Sequence, residues 1–422
     1  MSTLVTERPA TSHLRWVMCG LLFFATVIAY VDRGVLAYLE KTLEGLMGFD
    51  SRQYSYMTAM FSLAYAIGLV SAGRLTDRVG TRAGFAIAMA VWSVAAMARA
   101  VFSVAVFGIA MFFLGLGEAA NFPACIKTVA EWFPKSERAF ATGLFNSGAN
   151  IGTIIVPMVV PFLAGTLGLR GAFVTTGGLG FLWLIFWLSI YQRPENHPRV
   201  SVRELGLIQS DPPDKIESIP WVRLLPLRQT WAFALGKFIS DPIWWFYLFW
   251  LPRYLQETFH LDITQNRAPV MVAYAASCIG SVGGGWLSSA MLKGGRSLNR
   301  ARKTALLVCA IAVLPVLLAP FSKNLWVVVA LVGLAMAAHQ GWSANLFTLA
   351  SDMFPRAAVG SVVGFGGMLG SIGNTIFQLA VGYIVRATHS YLLLFLAAGS
   401  AYLAALAVVQ VLSPKLTPPK LD

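Results

Sequence analysis

The chain has 422 residues, of which 57% are hydrophobic and only 12% are charged. Soluble globular proteins carry roughly 25% charged residues, so this chain has too little charge to cover a water-facing surface. The net charge of +13 would suggest nucleic-acid binding in a soluble protein, but in a membrane protein lysine and arginine collect in cytoplasmic loops. Composition therefore predicts an integral membrane protein and gives no support to a nucleic-acid partner.

Hydrophobic segments recur along the whole chain, most of them as long as the roughly 20 residues that a helix needs to cross the hydrocarbon layer. In chain order they are 16–38, 53–73, 83–102, 104–126, 139–169, 171–192, 231–256, 268–292, 304–322, 324–351, 357–385 and 387–414. Most of these segments contain no Asp, Glu, Lys or Arg, and the others have a charge inside or at one edge. The sequence predicts an all-α membrane protein with twelve transmembrane helices.

Basic residues indicate the orientation. Lysine and arginine are concentrated in the segments on one side of the predicted membrane, the side that also holds both termini. Arg33, Arg99 and Lys237 fall within spans, and Arg253, near the end of its span, is counted on the opposite side. Because basic loops stay in the cytoplasm, we expect both termini to be cytoplasmic and the protein to be a multi-pass plasma membrane protein, in bacteria an inner membrane protein.

The region 192–230 interrupts the hydrophobic pattern with many charges and six prolines. We interpret it as a cytoplasmic linker between two domains, residues 1–191 and 231–422, each with six spans. The fold expected is therefore two pseudo-symmetric six-helix bundles.

A sequence repeat relates the two halves. A proline after phenylalanine is followed by glycines nine and eighteen positions later: Pro134, Gly143 and Gly152 in the first half, Pro355, Gly364 and Gly373 in the second. Each residue number in the second set exceeds its counterpart by 221. Parallel repeats of this kind place a binding site between the halves, near the middle of the membrane.

The short loop between the second and third spans carries Gly73, Asp77, Arg78 and Arg82. Glycine permits a tight turn, and the acid can bond to the arginines or to a helix end. We expect a cytoplasmic gate here, with a solvated basic turn as the alternative.

Asp32 and Arg33 are adjacent ionisable residues within the first span. Charges inside a membrane are costly and usually functional. Neighbouring side chains on a helix point about 100° apart, so at least one of the two should have another partner. Arg33 could bind a substrate carboxylate with its planar guanidinium; the alternative is a structural ion pair.

Glu118 is the deepest acid, near the middle of the fourth span. Burial and a nearby cation shift the pKa of a carboxyl group in opposite directions, so a carboxylate between the two can gain and lose a proton in each cycle. We expect Glu118 to couple transport to protons; a structural helix–helix hydrogen bond is the alternative.

Two further charged features have local explanations. Lys237 and Asp241 are four residues apart in the seventh span, a spacing at which a lysine and an acid pair on one helix face. Arg99 lies at the end of the third span, where a long side chain can extend to the membrane surface.

Uncharged polar and aromatic residues on several spans could line a cavity for a polyhydroxylated substrate. They are Tyr65, Asn121, Asn146, Asn150, Trp244, Trp245, His339, Gln340, Asn345, Asn374 and Gln378. For each of them, packing or hydrogen bonding between helices is the competing interpretation.

Several motifs together resemble the anion:cation symporter family of the major facilitator superfamily, in particular the hexuronate transporters. The matching segments are 30–33, 73–82, 115–152, 241–252 and 352–356 with the glycines that follow. The resemblance implies that Asp32 and Glu118 take part in proton coupling, that Arg33 holds the substrate carboxylate, and that Tyr65 lines the site. One position departs from the pattern: Met111 stands where many relatives have arginine, so Glu118 lacks a cation on its own helix.

Together these features predict proton symport of a sugar acid, a hexuronate such as galacturonate or glucuronate, by alternating access. Alternatives are transport of another organic anion (an aldonate, other carboxylate or sulfonate) and export by proton antiport. The five histidines are scattered without metal-ligand or nucleophile spacing, so an enzyme, a metal site and a cofactor are not expected. The partners expected are the anion, protons and membrane lipid, and the protein is expected to be a monomer.

Overall fold

The computed structural model describes residues 12–210, 221–262, 266–354 and 356–417. These residues form helices and connections, and no strand occurs among them. The helices are α1 (Leu14–Met47), α2 (Ser51–Val79), α3 (Thr81–Ala98), α4 (Val104–Glu118), α5 (Asn121–Trp132), α6 (Lys135–Ile190), α7 (Val202–Ile208), α8 (Trp221–Leu224), α9 (Arg228–Phe259), α10 (Ala268–Lys293), α11 (Leu298–Val313), α12 (Leu325–Met353), α13 (Arg356–Thr388) and α14 (Leu392–Leu412). Short 3₁₀ helices occupy Arg99–Val101, Pro194–Asn196 and Leu314–Phe321.

Twelve membrane crossings follow from these helices. α4 and α5 form the fourth crossing together, with a bend at Ala119 and Ala120. The 56-residue α6 contains the fifth and sixth crossings, because Gly168 breaks it with φ 72° and ψ 172°. Leu314–Phe321 extends α11 into the ninth crossing. The predicted all-α membrane fold is confirmed.

Close helix contacts at glycines show the same packing in the two halves. In the first half, a Cβ added at Gly152 would lie 2.8 Å from the carbonyl oxygen of Val27 in α1. In the second half, a Cβ at Gly373 would lie 2.4 Å from the carbonyl oxygen of Phe238 in α9. Because Gly152 and Gly373 are a pair in the sequence repeat, both halves use the same position to bring their first and fifth crossings together.

The halves meet along three pairs of helices: α2 with α13, α1 with α9, and α6 with α10. Most other helix contacts lie within α1–α6 or within α9–α14. This packing supports the proposed division into domains 1–191 and 231–422.

The linker is attached to the first half through Glu204 in α7. Its carboxylate accepts hydrogen bonds from Ser12, from the backbone N–H of Leu14 (3.2 Å) and from that of Arg15 (3.1 Å). Burial tends to raise the pKa of Glu204, but these hydrogen bonds and the guanidinium of Arg15 outweigh it and lower the pKa. The carboxylate thus caps the first turn of α1, where free N–H groups favour an anion.

The contact between α10 and α12 depends on glycine. A Cβ at Gly284 would lie 2.2 Å from Cα of Gly341, whereas a Cβ at Gly283 would meet nothing within 4 Å. We predict that Gly284→Ala lowers the stability by about 1–3 kcal/mol through overpacking, measured as a lower Tm in detergent. Gly283→Ala is the control and should not lower the Tm, because alanine favours a helix more than glycine does; equal Tm values for the two variants would contradict the packing argument.

Candidate functional site

Asp32 and Arg33 have different partners, as their adjacency on α1 predicts. Arg33 forms an ion pair with Glu118, donating from its Nε to the carboxylate. The exposed fractions of the two side chains are 4% and 0%. Glu118 is the last residue of α4, directly before the bend in the fourth crossing. The residues predicted to bind the anion and to handle the proton are therefore in direct contact.

Four aromatic rings surround the guanidinium of Arg33. Its central carbon lies 4.7 Å from the ring centre of Tyr30, 5.1 Å from Tyr65, 5.3 Å from Phe61 and 5.1 Å from Trp245. Cation–π contacts of this kind stabilise a desolvated cation. Tyr30, Phe61 and Tyr65 belong to the first half and Trp245 to the second, so this aromatic cage brings both halves to Arg33.

The carboxylate of Asp32 accepts a hydrogen bond from Nε1 of Trp92 (3.0 Å) and lies 3.8 Å from the guanidinium of Arg99. Arg99 also donates to the backbone carbonyl of Asp32 (2.9 Å). Arg99 is fully buried, so the prediction that it extends to the membrane surface is wrong. The Asp32 carbonyl, which accepts from Arg99, the Asp32 carboxylate nearby and the ring of Phe173 at 5.1 Å together hold the guanidinium in the interior.

One oxygen of the Glu118 carboxylate has no hydrogen-bond partner. Oε2 accepts from Arg33, while Oε1 is buried without a partner among the described residues. A buried acceptor left unpaired is unfavourable, the more so when it is charged. A proton on the carboxyl group would remove its charge, which would lower this cost and would also weaken the ion pair with Arg33. The arrangement is thus suited to a reversible change of protonation.

In the second half, Lys237 and Asp241 form the predicted pair on one face of α9, with 2.7 Å between nitrogen and oxygen. Nearby, Nδ1 of His339 lies 2.6 Å from the hydroxyl oxygen of Tyr402. The His339 ring stacks on Trp244, with centroids 5.3 Å apart. Trp244 and His339, both predicted to bind substrate, therefore lie together.

Asn374 and Gln378 of α13 connect the two halves. The Asn374 amide donates to Ser62 of α2 (2.6 Å) and accepts from Gln378 (3.1 Å). The Gln378 oxygen accepts from Nε1 of Trp250 (2.7 Å) and from Thr58 (3.4 Å). In this conformation both amides bond to other helices, and a role in substrate binding stays a prediction for them.

Asn345 and Asn121 also bond to other helices. The Asn345 amide donates to the carbonyl oxygens of Gly284 (2.8 Å) and Gly341 (2.9 Å), which joins α10 to α12. The Asn121 amide donates to Thr26 of α1 (3.4 Å). These contacts match the structural alternative for the two residues.

The other predicted polar ligands are less buried. Asn146 is exposed, and Asn150 and Gln340 are half-buried. None of the three makes a side-chain hydrogen bond within the part of the chain that the structure describes. They remain candidates for contact with a substrate.

The predicted gate loop is a one-residue turn at Gly80, whose φ of 83° suits glycine. Directly after it, the guanidinium of Arg82 donates to the carbonyl of Leu188 in α6, and Trp187 donates to the carbonyl of Arg82 (3.0 Å). The loop is therefore fixed to the end of the sixth crossing.

Gly73 and Asp77 lie in α2, but no contact can be assigned to Asp77, whose side chain is outside the described residues. Arg78 is exposed and borders a cavity of about 800 Å³ between α2, α3, α4 and α13. The remaining lining is almost entirely apolar: Leu63, Ala66, Ile67, Val70, Ser71, Ile87, Ala88, Val91, Leu116, Gly117, Ala120, Met368 and Ile372. This cavity is not the predicted polar site, because it contains neither Arg33 nor Glu118.

Sequence reasoning missed a cluster of charges between α1 and α9. Arg253 forms ion pairs with Glu40, Glu44 and Glu257, and Lys41 pairs with Glu44 and Glu257. A signal was present, since Glu40 and Glu44 on α1, and Arg253 and Glu257 on α9, each follow the four-residue spacing of one helix face.

Known transporters are similar to this chain over nearly its whole length. It is 30% identical over 376 residues to the hexuronate transporter of Escherichia coli K12, covering 87% of each chain. It is 29% identical to the probable galactarate/D-glucarate transporter of Bacillus subtilis strain 168, covering 92% of this chain and 89% of that one. It is 28% identical to the D-galactonate transporter of Escherichia coli O6:H1, covering 88% and 89%.

A comparison with solved structures and a comparison with protein families both agree with these sequence similarities. A crystal structure of a bacterial homolog of the human lysosomal transporter Spinster, in an inward-facing and occupied conformation, matches with a TM-score of 0.72 at 17% identity, covering 95% of both chains. The sequence profile of the Major Facilitator Superfamily matches residues 22–378. The chain therefore belongs to the Major Facilitator Superfamily of membrane transporters.

Proposed function

We propose that this transporter imports a sugar acid, a hexuronate such as galacturonate or glucuronate, by proton symport and alternating access. The observation that carries the proposal is the buried pair of Arg33 and Glu118 inside an aromatic cage that Trp245 completes from the other half. The similarity to the hexuronate transporter supports the substrate class. An aldonate, another carboxylate or a sulfonate, and export by proton antiport, are the alternatives.

Proton and substrate are linked in this proposal because they act on one ion pair. The carboxylate of the substrate competes with Glu118 for the planar guanidinium of Arg33. If Glu118 lost Arg33 and stayed ionised, it would be an unpaired buried charge, at a cost of about 3–5 kcal/mol. A proton on Glu118 removes that cost, so the substrate anion and one proton bind together with no net change in charge.

Asp32 is the second proposed coupling residue. Asp32 directly precedes Arg33 in the chain, and both its carboxylate and its backbone carbonyl contact Arg99. A proton on Asp32 would weaken this attachment and allow the central segment of α1 to move relative to Arg99. Asp32 thus would influence the position of Arg33 without contacting the substrate.

The rings around Arg33 suit a sugar acid in particular. A hexuronate has one carboxylate for the guanidinium and ring C–H groups that pack on aromatic faces such as Tyr65 and Trp245. Met111 is buried in α4 and adds no cation for a second carboxylate. The other buried cations described within the spans, Arg99, Lys237 and Arg253, each already pair with an acid. These features favour a substrate with a single carboxylate.

We further propose that both termini are cytoplasmic in a bacterial inner membrane and that the protein acts as a monomer. In that orientation the charge cluster around Arg253 faces the outside. The structure then corresponds to a conformation that is closed to the outside, in which substrate would reach the site from the cytoplasm.

Replacing Glu118 tests the coupling role. The glutamine side chain would keep a carbonyl acceptor for Arg33 but could not exchange a proton. We predict that Glu118→Gln abolishes accumulation of glucuronate against its gradient and retains exchange of internal for external substrate, measured with labelled glucuronate in proteoliposomes. Glu137→Gln, which alters a partly exposed acid outside the site, is the control with normal accumulation. Full accumulation by Glu118→Gln would contradict the proposed role.

The preference for one carboxylate is tested by competition. We predict that glucuronate, galacturonate and galactonate inhibit uptake at similar concentrations. The dicarboxylate galactarate should need a concentration at least about tenfold higher, since a second carboxylate would be buried without a partner and tenfold corresponds to only about 1.4 kcal/mol. Inhibition by galactarate at the same concentration as glucuronate would show that a second cation contacts the substrate.

A further inference from the structure

The charge cluster is a compact group of five residues: Glu40, Lys41 and Glu44 of α1 with Arg253 and Glu257 of α9. Arg253 is its centre, with ion pairs to Glu40, to Glu257 (3.0 Å) and to Glu44 (3.4 Å). Lys41 completes the group through Glu257 (2.6 Å) and Glu44 (3.1 Å). Every acid in the cluster therefore contacts a cation, and α1 is joined to α9 by several of these pairs.

The centre of the cluster is shielded from solvent and its rim is not. The side chains of Arg253 and Glu40 are 4% and 1% exposed, whereas those of Lys41, Glu44 and Glu257 are between 26% and 31% exposed. Tyr391, which precedes α14, donates its hydroxyl to Glu257 (2.7 Å). The cluster is thus a buried ion pair covered by a layer of partly hydrated charges.

The position of the cluster is asymmetric along the membrane normal. It joins the two halves at the end where α1 finishes, and Arg386 of α13 pairs with Asp50 before α2 (3.0 Å) at the same end. At the opposite end, Arg15 pairs with Glu137 and Arg302 with Asp352, each pair within one half. The cluster and the pair of Arg386 with Asp50 thus join the two halves at the end where α1 finishes.

We propose that this cluster is an ionic latch that keeps the outer end closed and must separate each time the transporter opens outward. Buried ion pairs suit this purpose because the loss of one partner leaves an uncompensated charge that favours hydration. When the halves separate, water hydrates all five charged groups and offsets the loss of the ion pairs. A protein with the intact cluster can therefore adopt both the closed and the open conformation. Without Arg253, three carboxylates face each other with Lys41 alone, and the open conformation is favoured.

A small space next to the latch offers a place for a reporter. Residues of α1, α6, α9 and α10 line it, among them Ala37, Thr153, Leu248 and Tyr274. Ala37 is one turn from Glu40 and is 3% exposed. A cysteine at position 37 would be shielded while the latch is closed and would become accessible when the halves separate there.

The experiment uses full-length protein in which the native cysteines are replaced and Ala37→Cys is introduced. Right-side-out membrane vesicles are treated with a charged, membrane-impermeant methanethiosulfonate reagent, and the labelling rate of the cysteine is measured. We expect Arg253→Ala to raise the rate about tenfold or more by shifting the population toward the outward-open conformation. Arg253→Lys, which keeps the charge, should raise it much less.

The matched control is Arg170→Ala, because Arg170 is an exposed arginine outside the latch and lies between the fifth and sixth predicted spans, which places it on the same side of the membrane in the proposed orientation. If Arg253→Ala does not give folded protein, Lys41→Ala at the rim provides the same test, with a smaller increase expected. Two results would overturn the latch. One is labelling at the parent rate in folded Arg253→Ala or Lys41→Ala, and the other is an equal increase in Arg170→Ala. The side of the membrane rests on the proposed orientation: an increase seen only in inside-out vesicles would refute that orientation and leave the latch intact.

Discussion

The ion pair between Arg33 and Glu118 is the interaction on which the rest of the site depends. Neither side chain has access to bulk solvent, and each is the charged partner that makes the other tolerable in a medium of low dielectric. The aromatic cage adds attraction for the cation but offers it no negative charge of comparable strength. In the proposed cycle an anion that reaches Arg33 competes with Glu118, and a proton neutralises the carboxylate that is displaced. In the proposed mechanism, coupling between anion and proton arises at this pair, and Asp32 contributes through the position of α1.

Helix α1 connects this pair to the remainder of the mechanism. Arg33 and Asp32 lie near its middle, and Glu40 lies seven residues beyond Arg33, about two helical turns or 10 Å along the axis. A movement of α1 that accompanies the exchange of partners at Arg33 would therefore reach the latch through a continuous helix. On α9, Trp245 and Arg253 are separated by about the same distance as Arg33 and Glu40 on α1. The same two helices therefore contribute residues to both the aromatic cage and the latch. We regard the binding site and the gate as two contacts of a single pair of helices.

Much of the fold was predictable from sequence because its causes are local. Span length and the 221-residue repeat depend on residues close together or on a simple periodicity, and the repeat located Gly152 and Gly373 at equivalent contacts. The pair of Lys237 and Asp241 was predictable for the same reason. The partners of Arg99 and Arg253 were not, because they depend on how distant helices are rotated against one another. Arg99 shows the limit most clearly: its sequence neighbourhood suggests a surface residue, and only the structure reveals Asp32 of α1 as its partner.

Proton movement tests most directly whether one proton accompanies each sugar acid. Cells that produce the protein are suspended in lightly buffered medium, and the external pH is recorded when glucuronate or galacturonate is added. We predict a transient alkalinisation of the medium that is absent without the protein and absent in Glu118→Gln. Uptake of either sugar acid with no movement of protons would contradict proton symport.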